Sequence, residues 1–223
     1  MKPNCTFCAL CRLLSNLAVV LACSLAYPLY ADCISPPANL VSWWRAEGDA
    51  NDTIGNNNGI LMNGTGMVPG KVGQAFSLDG VQSVEIPDSP ALHLASITIE
   101  GWVQFANAGG IQVFFSKPFG PGVLDSFSVW LENGNLKAVT SDASAFAPFL
   151  SIPFSPTIGR WYYIAFSFDN ATKQESLYLD GTRVASATAG RPIAYDSHPL
   201  LLGRVLAPPR DARGLRHALD ARA

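Results

Sequence analysis

A chain of 223 residues with 19 Gly, 16 Pro and 12 Phe has the length of one medium-sized domain with a large core and the wrong composition for a disordered or fibrous segment. Its formal net charge is -2, from 15 basic and 17 acidic residues, which leaves no surplus to neutralise a phosphate backbone. No Lys/Arg stripe interleaves with aromatics before the last 20 residues, so nucleic acid is excluded as a partner.

The first residues are a different material from the rest. Lys2 and Arg12 flank a polar start, Leu13–Tyr30 is almost uninterrupted apolar sequence, and Ala31 precedes Asp32. This reads as a secretory signal over residues 1–31, cut after Ala31. The alternatives are an uncleaved anchor and lipidation at Cys23. Against an anchor, Ser15, Asn16 and Pro28 interrupt the span and no basic cluster follows to stop transfer, so no stable membrane insertion is expected after cleavage. Cys5, Cys8 and Cys11 have the spacing of a metal-ligand set, but they precede the export segment and have no fourth ligand nearby. Cleavage leaves Cys33 alone, so no internal disulfide can form.

Beyond residue 31 the chain reads as strands and turns. Val41–Ala46 lies between Pro36-Pro37 and Glu47-Gly48-Asp49, and the Asn- and Gly-rich stretch Asn51–Gly66 is a loop with at most a short strand near Gly59–Met62. Gln74–Leu78 stops at Asp79-Gly80, and Ser83–Ile86 stops at Pro87-Asp88-Ser89-Pro90. In Ile97–Phe105, Ile97, Ile99, Val103 and Phe105 share one parity while Thr98, Glu100, Trp102 and Gln104 take the other. That period of two marks a strand. Ile111–Ser116 and Ser126–Leu131 continue the pattern, and Asn133-Gly134 turns the chain into Leu136–Thr140 as a two-residue hairpin. Trp161–Phe168 is apolar on both parities, which predicts a strand covered on both faces. Ser176–Leu179 and Thr182–Ala187 flank the Asp180-Gly181 turn, and Leu200–Leu202 is the last strand. Before position 205 no window has the three-and-four spacing of an amphipathic helix.

About ten short strands can bury their apolar faces only against a second sheet. The expected fold class is all-β, a two-layer antiparallel jelly-roll sandwich. Trp43, Phe76, Ile99, Val103, Phe127, Val129, Trp161, Phe166 and Leu179 are its expected core, which makes most of the five tryptophans structural.

The run Leu40-Val-Ser-Trp-Trp-Arg-Ala-Glu-Gly48, then Asn57-Asn-Gly-Ile-Leu61, Pro69-Gly-Lys-Val-Gly-Gln-Ala-Phe-Ser-Leu-Asp-Gly80, Val84-Glu-Ile-Pro-Asp88 and Ile97-Thr-Ile-Glu-Gly-Trp-Val103 form an ordered series. Trp161-Tyr-Tyr-Ile-Ala-Phe166, Leu177-Tyr-Leu-Asp-Gly181 and Leu201-Leu-Gly-Arg204 continue it. Together these motifs resemble the LamG-like jelly-roll domain of the concanavalin A-like lectin/glucanase superfamily, in its bacterial secreted type, over roughly residues 35–204. The resemblance implies a two-sheet jelly roll, often with a calcium ion, attached to other domains. It sets the expected organisation as signal peptide 1–31, jelly-roll domain 32–204 and an atypical tail 205–223.

The tail departs from the family pattern. Similar domains usually end in a closing strand that lies beside the first strand of the fold. Here Ala and Arg dominate, with Arg210, Arg213, Arg216 and Arg222 in one short window, while Ile, Thr, Tyr and Trp vanish. The readings are a short helix over Asp211–Ala221, with Leu215 and Leu219 on one face, or loss of the closing strand, which is the preferred expectation.

Glycoside hydrolysis needs two carboxylates about 5–5.5 Å apart for retention or about 6.5–9.5 Å for inversion. No such cluster stands on a central strand: Glu100 is alone in its strand, Glu132 lies at a turn, and Asp169, Glu175 and Asp180 occupy hairpin ends. Asp88 is expected to cap its own Pro-Asp-Ser-Pro turn. His93, His198 and His217 accompany no nucleophile elbow, and with Cys33 they make no zinc set. Hard oxygen donors at Asp49, Asn51, Asp52, Asn57, Asn58, Asp79 and Asp88 leave calcium open, with Asp79 the candidate ligand because the family places a recurrent Asp there; a strand-ending turn is the competing role.

The resulting reading is a secreted or cell-surface, non-catalytic binding module for carbohydrate or an extracellular protein. The alternative is a structural or adhesion domain, or a truncated remnant, without a specific ligand. Trp44, Trp102 and Trp130 are the candidate ligand-stacking residues, each with a competing core role.

Overall fold

A computed structural model describes residues 36–120 and 124–204 in full and the backbone of 217–222. The expected signal peptide 1–31, all five cysteines and residues 205–216 of the tail lie outside the described residues. The sheets belong to a compact unit that starts at Ala38.

In chain order the strands are β1 Trp43–Trp44, β2 Ile60–Met62, β3 Gly66–Pro69, β4 Gln74–Leu78, β5 Ser83–Ile86, β6 Ile97–Phe105, β7 Ile111–Phe119 and β8 Leu124–Glu132. They continue as β9 Asn135–Thr140, β10 Leu150–Pro153, β11 Trp161–Asp169, β12 Gln174–Leu179, β13 Thr182–Thr188, β14 Leu200–Leu202 and β15 His217–Arg222, and a 3-10 turn lies at Pro90–Leu92. One sheet runs β13-β12-β11-β6-β15-β4-β3 with β1 also paired to β15, and the other runs β10-β9-β8-β7-β14-β5-β2. Both are open and antiparallel, and their facing sides enclose the core, as expected of a two-layer jelly-roll sandwich.

The alternation read from the sequence sets which side chains enter that core. On β6, Ile97, Ile99, Val103 and Phe105 are buried; on β11, Tyr162, Ile164, Phe166 and Phe168 are buried. Phe105 sits among Phe114, Phe154 and Tyr162 in edge-to-face contacts, the geometry that ring quadrupoles favour. The hairpin turns Asn133-Gly134 and Asp180-Gly181 hold both residues at positive φ, at 48° and 76° and at 49° and 79°, which is why Asn or Asp before Gly occupies them.

The Asn-rich stretch after β1 is a polar knot rather than an open loop. Trp44 is fully buried and its Nε1–H donates to the Asn57 carbonyl at 2.7 Å. Asn57 Nδ2 donates to Ser42 Oγ at 2.7 Å, and Ser89 Oγ donates to Asn57 Oδ1 at 2.6 Å. Asp52 accepts from the backbone amides of Trp43, Ile54 and Asn57. Burial pushes its carboxyl up, but the amides of Trp43, Ile54 and Gly55 and the Ser42 hydroxyl outweigh that effect and hold it below the usual carboxylate range.

Four expectations change. Trp43 is half-buried with the Arg45 guanidinium over its ring, while Trp44 takes the core position, a shift of one residue that moves the side chain to the opposite face. Trp161 is half-buried on the outward parity of β11, not in the core. Asp88 does not cap its turn; its Oδ1 accepts from Lys117 Nζ at 2.6 Å and lies 2.7 Å from His93 Nε2.

The fourth concerns the tail. Residues 217–222 form neither a helix nor a strandless end: β15 runs between β4 and β6, with position 219 opposite both Phe76 and Val103. Ala, Leu and Asp carry little strand propensity, but the unpaired backbone edges of β4 and β6 favour any chain that satisfies them, so tertiary pairing overrides propensity.

Glu175 is a buried acid at the start of β12. Its Oε1 accepts from the Thr140 amide at 2.7 Å and from Thr140 Oγ1 at 2.5 Å, while Oε2 has no partner. Burial raises its pKa. The folded state therefore holds this proton to higher pH than the unfolded chain does, and the associated stability is complete below the unfolded carboxyl value and lost as pH rises through the folded one. Glu175→Gln keeps the acceptor for Thr140 and cannot ionise. The variant is expected to match the parent in urea denaturation near pH 4 and to exceed it by about 1–3 kcal/mol at neutral pH; a difference that does not grow with pH would contradict this account.

Candidate functional site

The outward faces of the two sheets differ. On the seven-stranded sheet the outward positions Val113, Ser116, Ser128, Val139 and Leu201 are buried, and the segments 141–149 and 189–199 are held at the end of β9. The Ala147 amide donates to the Thr140 carbonyl and the Ala194 amide to the Ser141 carbonyl, which ties both segments to the sheet. On the eight-stranded sheet Glu100, Trp102, Gln104, Trp161 and Tyr163 remain partly exposed.

That open face carries a groove of about 580 Å³ lined by Lys71, Trp102, Arg160, Trp161, Tyr163, Asp180 and Gly181. Trp102 on β6 and Tyr163 on β11 are directly opposite, so their rings meet at 5.2 Å with a 59° tilt. Trp161 follows on the same side one dyad step along β11. The Lys71 ammonium, from the turn between β3 and β4, stands 5.1 Å over the Trp102 ring.

The Asp180-Gly181 turn supplies the polar end. Asp180 Oδ1 accepts from the Tyr163 amide at 2.9 Å and Oδ2 from Arg160 at 2.8 Å, while the Arg160 guanidinium lies 4.6 Å from the Tyr162 ring centroid. Aromatic faces beside a few fixed donors and acceptors are the chemistry of a small-ligand site. Among the described residues that line the groove Asp180 is the one carboxylate, and it is already bonded to Arg160 and to backbone.

The sequence-derived candidates separate. Trp102 lies in the groove. Trp44 is closed off in the core and presents no face to a ligand. Trp130 is on the other sheet, where its ring packs edge-on against Phe149 and its Nε1–H donates to Glu132, which also pairs with Lys137 at 2.7 Å. Sequence reasoning missed Trp161, Tyr163, Lys71, Arg160 and Asp180. The apolar second parity of β11 was the available signal, and it marks an aromatic surface rather than a covered face.

Asp79 ends β4 in a turn: Oδ1 accepts from the amides of Val81 and Gln82, both at 3.0 Å. The oxygens of Asp52, Asn57 and Asn58 are likewise engaged in the polar knot. Among the described residues no three His, Cys, Asp or Glu side chains converge on a metal position.

Residues 78–217 match a family model described as the concanavalin A-like lectin/glucanases superfamily. A search of curated proteins finds no match. Among solved structures, the binding domain of Paraclostridial mosquitocidal protein 1 is similar at 18% identity and a TM-score of 0.65, covering 82% of this chain and 48% of that one. The receptor binding domain of botulinum neurotoxin C/D mosaic serotype is similar at 12% identity and 0.62, covering 82% and 46%. The botulinum neurotoxin serotype D ligand binding domain, in complex with N-acetylneuraminic acid, is similar at 13% and 0.61, with the same shares. The chain spans about half the length of these domains, and the likeness is one of fold.

Proposed function

The chain belongs to the concanavalin A-like lectin/glucanases superfamily, and from that membership we propose that it is a secreted, non-catalytic module that binds saccharide in the groove on the eight-stranded sheet. The observation that carries this reading is the pairing of an aromatic platform, Trp102 with Tyr163 and Trp161, with a fixed polar pair, Arg160 and Asp180, on an open sheet face. Aromatic rings receive the C–H faces of a sugar, and charge-assisted donors and acceptors receive its hydroxyls. One solved structure of the same fold is in complex with a sugar, N-acetylneuraminic acid, which supports the ligand class. Export rests on the apolar leader of the sequence, and among the described residues no helix is long and apolar enough to cross a membrane.

The test is a glycan array probed with the protein and two variants. Trp102→Ala is expected to lose at least about tenfold in affinity, the loss of one stacking platform, while Trp130→Ala binds as the parent does. Binding that survives Trp102→Ala and disappears in Trp130→Ala would move the site to the other sheet.

A further inference from the structure

Away from the groove, a second cleft of about 210 Å³ opens at the end of β9. Its walls are the turn that follows Thr140, including Asp142, Phe146 and Pro148, and the start of the next segment at Ala189 and Arg191. The lining joins an aromatic ring, Phe146, to an ion pair, Arg191 with Asp142 at 2.7 Å. That pair is built unequally. Asp142 is fully engaged: Oδ1 accepts from the Ser144 amide and hydroxyl, both at 2.8 Å, and from the Ala145 amide at 2.9 Å, while Oδ2 accepts from Arg191 Nη1. Arg191, the Ser144 amide and hydroxyl and the Ala145 amide hold its carboxyl well below the usual carboxylate range.

Arg191 uses only one of its nitrogens. Nη1 donates to Asp142 Oδ2 at 2.7 Å and to Ser144 Oγ at 2.6 Å, whereas Nε and Nη2 have no partner among the described residues. Two bonds at Nη1 fix the guanidinium, so its Nε and Nη2 edge is set in place before a ligand arrives. That edge is a fork whose parallel donors match the two oxygens of a carboxylate. Beside the cleft the surface is aromatic. Phe146 lies 5.3 Å from Phe149, and Phe149 lies 5.9 Å from Trp130 on β8, between ring centroids. Phe149 is 53% exposed and Phe146 36%, so the rings form a ledge open to solvent.

We propose that this cleft and ledge capture the C-terminal tail of a partner polypeptide whose last and third-last residues are apolar. A small free acid would fill the cleft and leave the ledge bare. In an extended peptide, side chains two apart share a face at a spacing of about 6.6 Å, close to that of the rings. The terminal carboxylate then sits on the Arg191 fork, the last side chain packs against Phe146, and the third-last lies over Phe149 and Trp130. This site is separate from the saccharide groove on the other sheet, and neither depends on the other.

The experiment is calorimetric titration of the full chain with short Gly/Ser peptides that carry Leu or Phe at the last and third-last positions. Each peptide is used as the free acid and as the C-terminal amide, beside N-acetyl-leucine and N-acetyl-phenylalanine. The free acids are expected to bind at least about tenfold more tightly than the amides, because an amide offers one oxygen to a fork built for two. Arg191→Lys keeps the charge beside Asp142 and removes the fork, so it should bring acid and amide level. Phe149→Ser, at an exposed position, should weaken the peptides and leave the N-acetyl amino acids as they were, and parent-like melting confirms folding of both variants. Acids and amides bound equally by the parent protein overturn the proposal, as does the absence of binding by every peptide. N-acetyl amino acids bound as tightly as the peptides, with Phe149→Ser without effect, would reveal a small-acid site and overturn the assignment to a peptide tail.

Discussion

Asp88→Ala is expected to destabilise the domain by about 3–5 kcal/mol, far more than a surface substitution, because it leaves a buried ammonium without its counter-charge. Lys117 is fully buried on β7, and its Nζ donates to Asp88 Oδ1 and to the His198 carbonyl, both at 2.6 Å. Burial pushes the Asp88 carboxyl up, but the hydrogen bonds from Lys117 and His93 outweigh it and hold the group below the usual carboxylate range. Lys117→Met removes the charge and keeps the volume, so it should cost little or stabilise, since a well-packed apolar side chain avoids the desolvation of the ion pair. Chemical denaturation of the two variants separates these outcomes. Equal losses would mean that the pair contributes attraction well beyond its desolvation cost.

Trp44→Ala is expected to cost about 3–5 kcal/mol, through lost burial and the cavity left behind. Trp44→Phe should recover most of the packing and retain a deficit of about 1–3 kcal/mol, because the Asn57 carbonyl then lacks its 2.7 Å donor. The Asn57 carbonyl belongs to the knot that joins Ser42, Asp52 and Ser89, so the deficit should appear as loosened order in residues 51–58, read by amide exchange. A Phe variant as stable as the parent would show that the indole donor adds nothing to the knot. Neither substitution is expected to alter saccharide affinity measured below the melting point, since Trp44 has no surface in the groove.

The jelly roll was legible in the sequence wherever one face is buried and the other wet. β6 begins at Ile97 and ends at Phe105 as its alternation requires, and β14 at Leu200–Leu202 is found where its apolar run stands. The hairpins at Asn133-Gly134 and Asp180-Gly181 declared themselves through residues that tolerate positive φ. β3, β10 and β15 did not. Gly66–Pro69 and Leu150–Pro153 each carry a proline at an edge, and His217–Arg222 lacks β-branched and aromatic residues, so only the neighbouring strands dictate their conformation.

The candidate site was half legible. Trp102 stood out as an aromatic on a polar parity, but its partners come from β11, from the turn after β12 and from the turn before β4. No local spacing links Lys71 to Arg160. The register of β6 against β11 brings Trp102 to Tyr163, and long-range pairing of that kind is invisible in a single sequence. Trp43 and Trp44 show the same limit in reverse: adjacent identical residues on opposite faces of one strand, of which only the fold decides which is core.

The indole N–H signals of the five tryptophans offer the most direct measurement of the central claim, that saccharide binds on the open face of the eight-stranded sheet. In a nuclear magnetic resonance titration with an array-selected glycan, Trp102 and Trp161 should shift progressively to saturation while Trp44 and Trp130 hold their positions. Saturable shifts confined to Trp130, with Trp102 and Trp161 unmoved, would contradict the account.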